Sequence, residues 1–277
     1  MASTSAGRYG AVWLLVICLL LAGCQGLVGV DERSSDTPTV TPAVVPDQAS
    51  EAFSAEGVNA GRLAELHRQA LMRTNYTLTL SERLVIDGEP RRVTTRRRQV
   101  GAEARAYGIT RTERTENFAP SNYAGIEGYW YNGSTELIRY PRSAGQRYEE
   151  VENPSQGLLT DPTEHRTIEG MVSAFDTKAG TRERLPNGSY LVRTGELSRA
   201  DRIPGLGYFV DPRNATLSLV VNPRGFVERY RVSYSATIAG TNRQVDVSRE
   251  LKVTRVGRTA VRPPAWAGAG QSGNGTD

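Results

Sequence analysis

"YTLTLSERLVIDG", residues 76–88, decides how this chain folds. Tyr76, Leu78 and Leu80 alternate with Thr77, Thr79 and Ser81, which gives one apolar and one polar face. A period of two belongs to a strand buried on one side, and Asp87-Gly88 ends it as a hairpin turn. The pattern recurs outward from there. Polar strands are predicted over 91–100 and 102–115. "EGYWYNGSTELIRY" (127–140) reads as a hairpin about Asn132-Gly133, and "RERLPNGSYLVRTGEL" (182–197) as a second about Asn187-Gly188. Further strands follow over 216–221, 226–237 and 243–256, with a turn at Asn222-Pro223-Arg224-Gly225 between the first two. Phe226, Tyr230, Val232 and Tyr234 share one face, as do Val245, Val247, Leu251 and Val253.

Two stretches change the period to that of a helix. Leu63, Leu66, Ala70 and Leu71 recur at helical spacing behind Asn59, a suitable N-cap. In "DPTEHRTIEGMVSAF" (161–175) Asp161 suits the N-cap, Pro162 the first helical position and Glu164 the first turn. Ile168, Met171, Val172 and Phe175 then form an apolar stripe. Core packing is the plain reading of that stripe and ligand contact the sharper one. About ten antiparallel strands and two helices predict an α+β, mainly antiparallel fold. One large sheet of this size curls, and the helices sit on or in its concave face.

The N-terminus carries an address. Only Arg8 is charged before the apolar run 11–22, which is too short for the roughly 20 residues that a bilayer span needs. It reads as a signal peptide over 1–23. Leu21-Ala22-Gly23-Cys24 has the form of a lipobox, with the Cys24 thiol as acceptor of a diacylglyceryl group. Two acyl chains hold a protein on a membrane where one does not. The lone Arg8 points to the general secretory route. Residues 24–56, rich in Ser, Thr and Pro, read as a disordered tether, acidic through Asp31, Glu32, Asp36, Asp47, Glu51 and Glu56 against Arg33. The net charge of the whole chain is +4, so the predicted β domain over 57–262 is basic. A disordered Gly-rich tail is expected over 263–277.

Composition narrows the chemistry. Cys18 lies within the signal, so the mature chain has no cysteine pair to oxidise. His67 and His165 stand outside any metal-ligand spacing, and no metal or cofactor is expected. There is no GxSxG, and "GLGYF" (205–209) lacks the strand-to-helix setting of a dinucleotide loop. The run "EPRRVTTRRRQV" (89–100) reads first as a solvated strand. Its second reading is attraction to an anionic surface, with no nucleic acid as partner. Sequons at Asn75, Asn132, Asn187, Asn214 and Asn274 are candidate N-glycosylation sites, two of them also turn residues.

The lipobox at Cys24, the acidic Thr/Pro-rich stalk, "GVNAGRLAELHRQALMRTNYTLTLSERLVI" (57–86) and "VTRVGRTAVRPPAW" (253–266) together resemble haloarchaeal lipoproteins. The arrangement is similar to the outer-membrane lipoprotein carrier (LolA-like) and mycobacterial LppX/LprG group. That resemblance implies an unclosed half-barrel with helices in its mouth and a lipid or other apolar ligand. The function expected is therefore a membrane-anchored, extracytoplasmic, non-enzymatic binding protein, with Ile168, Met171, Val172, Phe175, Tyr230 and Tyr234 as ligand or core stripe. The alternative is a structural or adhesive envelope module without a small ligand. An extracellular hydrolase is the weaker third.

Overall fold

The computed structural model describes residues 47–104, 107–115, 126–142, 145–152 and 161–268. Cys24 with its apolar run, the tether up to residue 46, Asn274 and the tail from residue 269 lie outside the described residues. Alternation in residues 76–88 becomes strand β3 (Tyr76–Ile86), joined to β4 (Glu89–Val100) through Asp87 and Gly88. Both turn residues have positive φ, 53° and 85°, the geometry that matches a turn to the right-handed twist of a hairpin.

From β4 the sheet continues through β5 (Tyr107–Thr115), β6 (Gly128–Tyr131), β7 (Thr135–Arg142) and β8 (Gly145–Glu152). On the other side of β3 lie β13 (Gln244–Thr254), β12 (Val227–Ile238), β11 (Phe209–Val221), β10 (Tyr190–Thr194) and β9 (Thr181–Arg184). The order is β8-β7-β6-β5-β4-β3-β13-β12-β11-β10-β9, antiparallel throughout and unclosed. Every neighbour in that order is also a neighbour in sequence except β3 and β13. That one long-range ladder, Val245↔Ile86 to Thr254↔Thr77, joins two meanders into a single half-barrel.

Because the register is unbroken from β12 through β13 to β3, residues of one parity share one face. Tyr76, Leu78, Leu84 and Ile86 meet Val245, Val247, Leu251 and Val253 there, and Tyr230, Val232 and Tyr234 extend the row. All are buried in one core with residues of helices α1 (Ala60–Met72) and α2 (His165–Ser173), so the helices cover this concave face. Asn59 caps α1 as expected, its Oδ1 accepting from Arg62 N at 2.9 Å.

Helix α2 starts three residues later than the sequence suggests. Its N-cap is Glu164, held at φ 61°, and not Asp161. The Asp161 carboxylate still does the capping chemistry from a distance, accepting from His165 N at 3.2 Å and Arg166 N at 3.0 Å. Glu164 is turned to an ion pair with Arg98 on β4, which explains why it leaves the first turn.

Other boundaries shift for physical reasons. β11 begins at Phe209 and not at residue 216, because bulges between Val210 and Thr216 carry the strand past Pro212 and Asn214. The strand expected from residue 102 begins at Tyr107, after a 3-10 turn at Ala102–Ala104. β8 has no apolar alternation to announce it. The tether boundary at residue 56 also moves. Residues 48–52 form a 3-10 turn, and β1 (Phe53–Ser54) pairs with β2 (Gly57–Val58). Ala49 and Ala52 are fully buried there, and Ala49 N donates to Pro223 O at 3.1 Å. At the other end, Trp266 and Ala267 pack on the convex face against Trp130 and Leu137, so the domain extends past residue 262.

Candidate functional site

The concave face is an apolar bed with polar groups set into it. Ile168, Met171, Val172 and Phe175 are all buried, Phe175 at 4% exposure, in the same core as Tyr230 and Tyr234. The six residues singled out from sequence are thus brought together. Among them only the two tyrosines carry hydroxyls. Both hydroxyls, with that of Tyr76, are buried and have no hydrogen-bond partner among the described residues. Burial pushes all three phenols up from their ordinary range, so they are neutral donors at any physiological pH.

Sequence reasoning missed the charges among them. One row across the sheet reads Val232–Arg249–Glu82–Thr94. Arg249 and Glu82 face each other on β13 and β3, with Nε 2.7 Å from Oε2, and Arg92 on β4 stands 4.0 Å from the same carboxylate. Burial acts most strongly against the Arg249 cation, but the Glu82 charge and hydrogen bond together with the Tyr234 and Tyr230 hydroxyls outweigh it, and the net direction is upward. Arg249 Nη1 also donates to the carbonyl of Pro204, in the loop ahead of β11. That loop comes so close because Gly205 sits at φ 76°, where a Cβ would lie 3.1 Å from Arg249 Nη2. The signal for both charges was present: Glu82 and Arg249 occupy inward positions of otherwise apolar alternations.

The basic run on β4 is another correction. A solvated strand would expose its arginines, yet Arg92 is 8% and Arg98 2% exposed. Strand alternation sends them inward, while Val93 and Arg97 face solvent. Arg98 donates through Nη1 to Asp161 O at 3.1 Å and pairs with Glu164, which fastens the start of α2 to the sheet.

His67 on α1 ties the same region from the other side. Its Nε2 donates to Thr163 O at 2.9 Å, and its Nδ1 accepts from Val227 N at 3.0 Å, which fixes the neutral tautomer. Full burial pushes its pKa down from 6.5 to about 4. His165 pairs with Asp161 at 2.8 Å. Among the described residues no three His, Cys, Asp or Glu side chains converge as metal ligands. No described helix is long and apolar enough to cross a membrane.

Of the sequon asparagines, Asn132 and Asn187 sit in the β6–β7 and β9–β10 turns. Asn132 Oδ1 accepts from Ser134 N and Thr135 N, and Asn187 Oδ1 from Ser189 N, so each is explained as a turn-forming side chain. Asn214 is exposed in the β11 bulge at φ 52°, and Asn75 Oδ1 accepts from Thr259 N.

No protein-family model matches the sequence. No curated protein matches it either. Among solved structures, the chain is similar to a LolA superfamily protein from Nitrosomonas europaea at 10% identity and a TM-score of 0.22, covering 70% of this chain and 92% of that one. It is similar to a DUF1329 family protein from Desulfovibrio piger at 8% identity and a TM-score of 0.26, covering 75% and 94%. A third similarity is to lipovitellin, at 9% identity and a TM-score of 0.28, spanning 70% of this chain and 26% of that one.

Proposed function

We propose that this chain is a lipid-anchored extracytoplasmic lipoprotein that acts by binding and not by catalysis, holding an apolar or lipid ligand against the concave face of its half-barrel. The observation that carries the reading is the set of three buried hydroxyls, on Tyr76, Tyr230 and Tyr234, without partners among the described residues. Each such group costs about 1–3 kcal/mol when left unsatisfied. A core selected for stability alone would hold phenylalanine at these positions. A ligand whose body lies on the apolar bed and whose polar atoms reach these hydroxyls recovers that cost. Anchoring rests on the motif ending at Cys24.

Organic extraction and mass spectrometry of natively purified protein test the reading. A stoichiometric lipid is expected, and it should fall when Tyr230 and Tyr234 are both changed to Phe, a change that spares the fold. Repeated absence of any extractable ligand defeats the proposal. One observation favours the second reading, a structural or adhesive envelope module: the stripe Ile168, Met171 and Phe175 is closed by the protein's own packing. On that reading the double Phe variant is more stable and loses nothing.

A further inference from the structure

Where β11 turns into β12 and β13 ends, the surface opens into a hollow of about 260 Å³. Val220, Phe226, Val253 and Val256 supply its apolar lining, and Arg224, Arg229, Lys252 and Arg255 its charge. Among the described residues the lining has one carboxylate, Glu228, which accepts from Asn222 Nδ2 at 2.6 Å. The nearby Glu250 serves Arg229 at 3.8 Å and Arg231 at 3.2 Å. Neither the Lys252 ammonium nor the Arg255 guanidinium has an ion pair or hydrogen bond among the described residues.

The register sharpens the point. Arg229 and Lys252 stand directly opposite each other across the β12–β13 ladder. Like charges in that position destabilise a sheet. Four cations around a hollow, one like-charge pair among them, against the Glu228 carboxylate in the lining and a Glu250 shared between Arg229 and Arg231, leave a net positive site that an anion completes. We propose that this hollow binds a phosphate group. The planar forks of Arg224, Arg229 and Arg255 suit paired phosphate oxygens, and the apolar lining suits the carbon skeleton attached to a phosphodiester.

Two sources offer that chemistry, an anionic lipid headgroup and free phosphate. The headgroup source rests on the anchored reading above. The first described residues lie beside the hollow: Ala49 N bonds Pro223 O, in the turn that carries Arg224. Clustered arginines and lysines close to an anionic leaflet are attracted to it within a Debye length.

Hydrogen exchange of the amides in 222–225 and 252–256 tests the site on the full chain. Three conditions are compared: inorganic phosphate against chloride at equal ionic strength, vesicles of phosphatidylcholine alone, and vesicles with phosphatidylglycerol added. Slowing of several-fold with phosphatidylglycerol, absent with phosphatidylcholine, supports the site with the headgroup as source. Equal slowing by phosphate without vesicles supports it with free phosphate as source. No slowing in either arm, or slowing that survives Arg224→Gln with Arg255→Gln, overturns it. Lys252→Gln gives an independent readout: in chloride its melting temperature should rise as the like-charge pair disappears, and phosphate should no longer stabilise it. A chain that fails to associate with either vesicle refutes the anchoring, while the phosphate arm still decides the hollow.

Discussion

His67 makes the stability of this domain depend on pH in a defined window. The ring is fully buried, with Nε2–H given to Thr163 O and Nδ1 taken by Val227 N, so no face is left for a second proton. Its pKa is held at about 4 against an ordinary 6.5. Above the ordinary value, folded and unfolded chains are both neutral at this site and no penalty exists. As pH falls below it, the unfolded chain takes up a proton that the folded one refuses, and stability declines until the folded ring titrates as well. At 1.36 kcal/mol per unit, the full excursion removes roughly 3 kcal/mol. Asp161 contributes with the same sign in a lower window. Its folded pKa lies below 3.8, so its share is present above that value and is lost only at lower pH, outside the His67 window. Urea unfolding at a series of pH values, for the parent and for His67→Gln, isolates the effect. The variant should be weaker at neutral pH by about 1–3 kcal/mol, since Val227 N–H loses its acceptor, but its stability should fall less steeply on acidification. Equal slopes in the two proteins would refute the reasoning.

Phe175→Ala should cost about 3–5 kcal/mol in chemical denaturation if the ring is only core, because it is almost fully buried. A smaller loss together with less extracted lipid would assign the ring to the ligand instead, and a small loss with no lipid in either protein would contradict both accounts. Cys24→Ser should abolish lipid attachment, read as loss of the mass of a diacylglyceryl group on the mature chain; an unchanged mass increment would overturn the lipobox reading.

Architecture was legible where a single period persisted. β3 and β13 show their faces in the sequence because an apolar residue recurs at almost every second position. The same regularity hid the polar interior: Glu82 and Arg249 look like lapses in the pattern, yet they face each other and neutralise one another. Arg92 and Arg98 were misplaced because arginine is assigned to solvent by default, whereas strand parity sends both inward. Only the fold could supply their partners, since Arg98 and Glu164 are 66 residues apart. Asp161 was recognised as a cap in substance but not in place, because the pull of Arg98 on Glu164 lies outside any local capping rule. The unpartnered hydroxyls had no sequence signal at all, since an absent partner is a property of packing.

The folding of residues 47–56 bears on why the sheet stays open. An eleven-strand sheet that does not close has two edges, and an exposed edge invites another strand. At one edge β9 is only four residues long, exposed at each of them and charged through Arg182, Glu183 and Arg184. The N-terminal segment packs beside it: Arg182 lies over the Phe53 ring at 5.6 Å and donates to Ser54 O, while Arg184 pairs with Asp47 at 3.1 Å. Tyr190 on the adjoining β10 adds a hydrogen bond to Asp47 at 2.6 Å and a ring contact with Phe53 at 4.7 Å. The segment that sequence composition assigns to a tether therefore packs beside this edge through side-chain contacts, and the short charged β9 is itself a poor template for a further strand. A closed barrel would have buried its edges and sealed its interior in the same step. An open sheet leaves its concave face covered by the helices and by the loop carrying Ile203 and Pro204, and the helices are tied to their surroundings by side-chain contacts such as Arg98 with Glu164 and His67 with Thr163 O. Such contacts can part without breaking a single strand pairing, which is what the binding proposed at Tyr230 and Tyr234 requires.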